Sequence, residues 1–151
     1  MRVLSVAGLL LTFSATTLPA QPSGSGIRHV LVTVAATNDE WTPSGLTVSA
    51  GDMVIVRAPG YIQIGGMSGE RDAAGYGHNG TTATPNGSLE YKVGVSAGKP
   101  AGKFDVHVVD DSGELKFRVR DSDYRDNRGQ FEVDVIVLPP SSIPPAPQRP
   151  H

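Results

Sequence analysis

The stretch DSDYRDNRGQF, residues 121–131, concentrates side chains that carry oxygen. Asp121, Asp123, Asp126 and Asn127 fall within it, and calcium takes about six to eight oxygen ligands from carboxylates, amides, backbone carbonyls and water. Segments that alternate apolar and polar residues, as strands do, lie on both sides of the stretch. The residue types therefore allow two interpretations, a partial calcium shell or a solvated acidic turn.

One known calcium-binding loop, the EF-hand, does not fit this spacing. If Asp121 is the first position, Asp126 occupies the position where the sharp turn of an EF-hand requires glycine, and strands rather than helices flank the loop. The alternative to a cation is that nearby arginines neutralise the acids in surface ion pairs, which individually contribute little: Arg118, Arg120, Arg125 and Arg128. On composition alone, both interpretations stay open.

The two ends of the chain differ in composition from the part between them. In residues 1–20, Arg2 precedes the apolar run VLSVAGLLLTF and the small residues of TLPA, which predicts an export signal cleaved after Ala20. Residues 21–28 are interpreted as a linker and residues 29–137 as the domain. The proline-rich segment LPPSSIPPAPQRPH predicts a disordered tail over 138–151. We therefore expect a secreted or periplasmic protein.

Composition and histidine placement exclude several classes of function. The 151-residue chain has a formal net charge of −2, so a basic surface for nucleic acid or anionic lipid is not indicated. It contains no cysteine, which excludes disulfides and thiol chemistry. The four histidines show no metal-ligand spacing, and no serine lies in a nucleophile-elbow motif. The sequence predicts a protein that is not an enzyme, with an accessory hydrolase as the rival class.

A period of two dominates residues 29–137, which indicates strands with one face toward a core. Gly-rich turns separate the runs, so we predict an all-β fold, an antiparallel β-sandwich of the jelly-roll-like kind. In QFEVDVIV we expect Phe131, Val133 and Val135 to face inward, and Glu132 and Asp134 to face solvent. The other apolar sides hold Val30, Val32 and Val34; Val54, Val56 and Ala58; Leu89, Tyr91 and Val93; Phe104, Val106 and Val108; and Leu115, Phe117 and Val119.

A few further positions follow from the same pattern. His29 and His107 lie beside valines and are expected to be histidines on the sheet surface. Trp41, the single tryptophan, is expected to pack in the core as buried aromatic residues do. The segment 65–87 is rich in Gly, Asn, Thr and Ala, and so long a loop in a domain is commonly functional or mobile.

The segment VRDSDYRDNRGQFEVDV resembles the carboxy-terminal motif of the PA-I galactophilic lectin-like family. In that motif an Asn-Asp pair ends one strand, and an Asp-Asn or Asn-Asn pair precedes Gly-x-Phe and the last strand. Arg120 stands where the motif has its first Asn, whereas the following positions match it: Asp121, Asp126, Asn127, Gly129 and Phe131. EWTPSGLTVSAGDMVIVRAPG is similar to the family's Trp-x-x-x-Gly-x-x-Val-x-x-Gly-Asp segment, so the resemblance spans roughly residues 29–137.

The resemblance implies a noncatalytic β-sandwich that binds galactose-type sugars through calcium (Ca2+). Its side-chain ligands would be Asp121, Asp126 and Asn127, and backbone ligands would come from Ile64 and Tyr124. The residues implied to bind the sugar are His78, Asn79, Asp121 and Asn127. We expect a carbohydrate partner, no nucleic acid and no membrane insertion, and a homo-oligomer is compatible with this family. The alternative is a structural or protein-interaction β-sandwich that has lost sugar binding.

Overall fold

The structure is a computed structural model that describes residues 26–65, 69–75 and 85–142. The described residues form ten strands: β1 Arg28–Ala35, β2 Thr42–Val48, β3 Met53–Arg57, β4 Ile62–Gln63, β5 Glu70–Arg71, β6 Leu89–Val93, β7 Lys99–Pro100, β8 Phe104–Val108, β9 Gly113–Val119 and β10 Gln130–Leu138. Within these ranges, no helix has the length and apolar character to cross a membrane. The predicted export signal and the end of the predicted tail lie outside the described residues.

Two four-stranded antiparallel sheets enclose the core. Their strand orders are β1-β10-β3-β8 and β2-β9-β6-β7, and β4 pairs with β5 in a small third sheet. Buried side chains from both large sheets form one cluster, in which Phe117 and Phe131 are the largest. This arrangement confirms the prediction of an all-β antiparallel sandwich.

Strand β10 lies between β1 and β3 and has the two faces that its sequence predicts. Phe131, Val133 and Val135 are fully buried, while Glu132 and Asp134 are partly exposed. The strand continues to Leu138, which pairs with Met53, so it passes the domain boundary at Val137 by one residue. A short 3-10 turn, Pro140–Ser142, follows it.

Strand β8 faces the opposite way from the prediction. Phe104, Val106 and Val108 are 65%, 46% and 53% exposed. The cause is its register with β3, in which Asp105 and His107 pair with Val56 and Val54. Paired residues of neighbouring strands lie on the same face of a sheet. Because Val54 and Val56 face the core, Asp105 and His107 must face it as well.

The two strand histidines therefore differ in their environments. His29 is exposed on β1 and its Nε2 lies 2.5 Å from Asp134, which confirms a surface position. His107 is largely buried, and its ring stacks on Tyr91 with 4.3 Å between centroids, so the prediction of a surface histidine is wrong there. Its Nδ1 lies 2.8 Å from an oxygen of Asp105.

Trp41 does not belong to the core, so that expectation is also wrong. It is partly exposed and lies between two cations on the outer side of the second sheet, with Lys92 Nζ 4.7 Å and Arg118 Cζ 4.4 Å from its ring. A Cβ atom on Gly98 would lie 2.9 Å from the indole, so a glycine makes room for the ring. The indole thus covers polar outer positions of the sheet, where cation–π contacts hold it.

Candidate functional site

Backbone pairing holds the end of the acidic loop against two other segments. Gln63 and Arg128 form an isolated antiparallel bridge in which each N–H donates to the other residue's carbonyl at 2.9 Å. The N–H of Ala36, just after β1, donates to the carbonyl of Gly129 at 3.0 Å. Residues 127–129 are therefore fixed between the end of β1 and strand β4.

Asn127 connects the same segments through its side chain. It is only 3% exposed; its Oδ1 accepts the N–H of Gly65 at 3.2 Å, and its Nδ2 donates to the carbonyl of Ala36 at 3.0 Å. An amide oxygen has two lone pairs, so the bond from Gly65 leaves one for another donor or a cation. Asn127 is thus a structural clamp whose oxygen lies beside the backbone that follows Ile64.

The turn that begins at Asp121 is folded by a tyrosine. The N–H of Asp121 donates to the Tyr124 hydroxyl at 3.2 Å, and that hydroxyl donates to the carbonyl of Val119 at 3.1 Å. Asp121 is partly buried, and its Oδ1 accepts the N–H of Ser122 at 2.7 Å. The tyrosine fixes the backbone at Asp121, and the bond from Ser122 orients the Asp121 carboxylate. The structure thus shows a role for the Tyr124 hydroxyl, whereas the resemblance implied a role for its backbone.

A second contact brings the Asp121 side of the loop toward Ile64. The N–H of Gly87 donates to the carbonyl of Arg120 at 2.7 Å. Gly87 has a φ of +76° and packs so closely on Ile64 that an added Cβ would lie 2.9 Å from Ile64 Cγ1. The region around Ile64 thus approaches both ends of the loop, the residue before Asp121 and the amide of Asn127.

Arg120, which stands where the family motif has asparagine, forms an ion pair with Glu90. Its Nη1 donates to one oxygen of Glu90 at 3.2 Å, and Arg118 donates to the other oxygen at 3.0 Å. Glu90 is 2% exposed, so two guanidinium groups compensate a buried carboxylate. These two arginines therefore pair with Glu90 and not with the acidic residues of the loop.

Within the loop, arginine pairing occurs at Asp123. Arg125 donates through Nε at 2.8 Å and through Nη2 at 2.6 Å, and its backbone N–H also donates to Asp123 at 3.1 Å. These side-chain bonds, followed by the backbone bond, lower the pKa of Asp123 to about 2. The same pairing, with a smaller attraction from Asp126, raises the pKa of Arg125.

Asp126 differs from its neighbours in being exposed and without a hydrogen bond among the described residues. No group of three or more His, Cys, Asp or Glu that could hold a metal ion occurs in the described ranges. The set implied by the family resemblance is of another kind, with two carboxylates completed by amide and carbonyl oxygens. His78 and Asn79, the implied sugar contacts, lie outside the described residues.

Sequence reasoning missed the clamp that positions Asn127. Its partners lie 62 and 91 residues away along the chain, and both contacts are to backbone groups, which have no residue type to recognise. The family resemblance provided the one signal, because it paired Asn127 with the backbone near Ile64.

A separate small cleft lies between the edges of the two sheets, beside Tyr91, Lys99, His107 and Asp110. Burial, followed by the charges of Asp105 and Asp110, raises the pKa of Tyr91 to about 12. Lys99 lies 3.6 Å from Asp110.

No protein-family model matches the sequence, and no curated protein matches it. Among solved structures, the chain is similar to the EclA N-terminal domain, which is described as a PllA-like lectin. The TM-score is 0.62 at 24% sequence identity, and the match covers 76% of this chain and 99% of that domain. At this identity the similarity establishes a common architecture. The chain has the β-sandwich fold of this lectin domain.

Proposed function

We propose that the protein binds carbohydrate through calcium, at the loop of residues 121–129 and the chain that follows β4. The observation that carries this proposal is the clamp at Asn127, which joins the acidic loop to Gly65 and so to the strand end from which the resemblance draws a backbone ligand. The fold shared with a PllA-like lectin supports the same function. Galactose-type sugars are the candidate ligands.

In this proposal, the side-chain ligands of the ion are Asp121, Asp126 and Asn127. Backbone oxygens of Ile64 and Tyr124 are the other ligands that the protein provides. Such a donor set consists only of oxygens and carries two negative charges, which suits calcium. The bound ion would supply coordination positions for two vicinal hydroxyls of a sugar. The carboxylates would accept the protons of those hydroxyls in charge-assisted hydrogen bonds.

The segment 65–87 and the predicted export signal also have roles in the proposed function. His78 and Asn79 would donate to and accept from further hydroxyls of the sugar. The domain would act without catalysis, as a binding module exported by the signal in residues 1–20. Carbohydrates outside the cytoplasm would then be its targets.

A second candidate function is a structural or interaction domain without a ligand site. It is favoured by the hydrogen bonds that the loop already makes within the protein. The oxygen and the nitrogen of the Asn127 amide and both carboxylate oxygens of Asp123 have protein partners. Such a loop would keep its conformation without an ion.

A glycan array separates these two candidates. The protein is applied once with calcium and once with a chelator, and a magnesium arm tests for a general divalent effect. The lectin proposal expects binding of terminal galactosides that requires calcium. Binding of no glycan, together with an unchanged melting temperature in calcium, would support the structural domain.

A further inference from the structure

Strand β8 has one edge that no strand pairs with among the described residues, since it ends the order β1-β10-β3-β8. On its other edge, the carbonyl of Lys103 accepts from Ala58 and the N–H of Val109 donates to Asp52, both at 2.9 Å. Antiparallel strands direct the backbone groups of alternate residues to opposite sides. The N–H and carbonyl groups of Phe104, Val106 and Val108 therefore point toward the open edge.

The outward side of this edge lacks the features that usually protect one. Natural edge strands carry outward charges, proline, a bulge or inward-pointing charges, which discourage pairing with another chain, and of these β8 has only the inward Asp105. In β8 the outward side chains are apolar and exposed, namely Phe104, Val106 and Val108. They continue into an apolar surface, because Val106 and Val108 pair with Ile55 and Met53, and these pair with Ile136 and Leu138. An exposed apolar surface of this kind marks an interaction site.

We propose that β8 pairs antiparallel with β8 of a second copy of this chain, about a two-fold axis at Val106. In this register Val106 lies opposite itself, and Phe104 lies opposite Val108 of the second copy. All three residues that direct backbone groups to the edge thereby find partners. A pairing centred on Phe104 or Val108 would move part of the strand beyond its partner's end, so the central register is the most complete.

The inner face of the strand is also self-complementary in this register. Asp105 lies opposite His107 of the second copy, and His107 lies opposite the second copy's Asp105. Within the described chain, the buried Nε2 of His107 has no hydrogen-bond partner, because only Nδ1 contacts Asp105. The pairing thus places a carboxylate near the unpartnered ring nitrogen of His107, and an acid beside a base across the strands.

The size of the contact predicts its strength. Stable interfaces bury about 1,200–2,000 Å² in total, and a pair of five-residue strands with one apolar side contributes less. We therefore expect a weak dimer that forms as concentration rises. The proposal does not depend on the carbohydrate function, because β8 contributes no residue to the acidic loop.

Sedimentation velocity over a series of concentrations tests the pairing on the purified protein. The wild type should shift from monomer to dimer, whereas Val106→Lys, which places two ammonium groups together at the axis, should sediment as a monomer throughout. Leu31→Lys is the matched control, because Leu31 is 61% exposed on the opposite edge strand of the same sheet, and it should keep the dimer. A wild type that stays monomeric at millimolar concentration overturns the proposal, as does a Val106→Lys dimer.

Cysteine substitution tests the register, since the chain contains no cysteine of its own. Directly paired residues have Cα atoms about 5.5 Å apart, which a disulfide can bridge, so Val106→Cys should give a covalent dimer under mild oxidation. Phe104→Cys should not cross-link. The two substituted positions of the dimer would lie four residues apart along the strands, about 13 Å from each other. Equal cross-linking of both variants would contradict the register. A monomer in which the amides of Phe104, Val106 and Val108 are protected from hydrogen exchange would show that the chain covers its own edge, and would overturn the proposal.

Discussion

The Oδ1 atom of Asn127 accepts the backbone N–H of Gly65 at 3.2 Å, across 62 residues of sequence. Together with the bond from Nδ2 to Ala36, this contact fixes the acidic loop at one end of the sandwich. A residue that the family resemblance presents as a metal ligand is therefore also part of the fold. Substitutions in the loop must be chosen so that loss of an ion can be separated from loss of the clamp.

Asn127→Ala tests the clamp. It leaves the N–H of Gly65 and the carbonyl of Ala36 without partners in a buried place, which we expect to lower the free energy of unfolding by about 2 kcal/mol. Urea denaturation in the presence of a chelator measures this effect without any contribution from an ion. Asp126→Ala, an exposed change in the adjacent residue, is the control and should alter stability by less than about 0.5 kcal/mol. Equal stability of the two variants would show that the clamp contributes nothing.

Asp126→Asn tests the proposed calcium site with little effect on the fold. The substitution keeps an oxygen but removes one charge, so we expect calcium affinity to fall about tenfold, equivalent to about 1.4 kcal/mol. Isothermal titration of calcium into both proteins measures the difference. Arg125→Ala is the opposite control, since it removes a nearby positive charge and should leave affinity unchanged or raise it. If millimolar calcium produces neither heat nor a melting shift in the wild type, the calcium proposal fails.

The pairing of Asp123 with Arg125 predicts a specific dependence on pH. The pKa of Asp123 in the folded protein is about 2, below the ordinary value of about 3.9. A carboxylate with a lowered pKa stabilises the fold above the ordinary value, and this stabilisation is lost as pH falls from about 4 to about 2. Carbon NMR of the carboxyl group should show the low midpoint in the wild type and a value near 3.9 in Arg125→Ala. An unchanged midpoint in that variant would exclude the pairing as its cause.

Comparing Trp41 with Phe131 tests the assignment of outer face and core. Phe131 is fully buried on β10, so Phe131→Ala should cost about 3–5 kcal/mol. Trp41 is partly exposed between Lys92 and Arg118, and Trp41→Ala should cost about 1–2 kcal/mol, mainly through lost cation–π contacts. Thermal unfolding followed by circular dichroism measures both changes. A larger loss of stability for Trp41→Ala than for Phe131→Ala would show that the indole packs in the core.

The sequence by itself determined the class of fold and most of its inward faces. In β10 and β9 the alternation of apolar and polar residues is local, and the structure buries Phe131, Val133, Leu115 and Phe117 as that alternation requires. The rule holds there because one face of each strand meets the core, and a shift by one residue would exchange the two faces.

The tertiary structure alone decided where the same rule fails. In β8 the apolar residues face outward, because pairing with Val54 and Val56 places Asp105 and His107 on the inner face. Likewise, the loop acquires its position through backbone groups of Ala36 and Gly65, which lie far away in the chain. Register and long-range backbone contacts depend on which segments meet, and no short stretch of sequence contains that information.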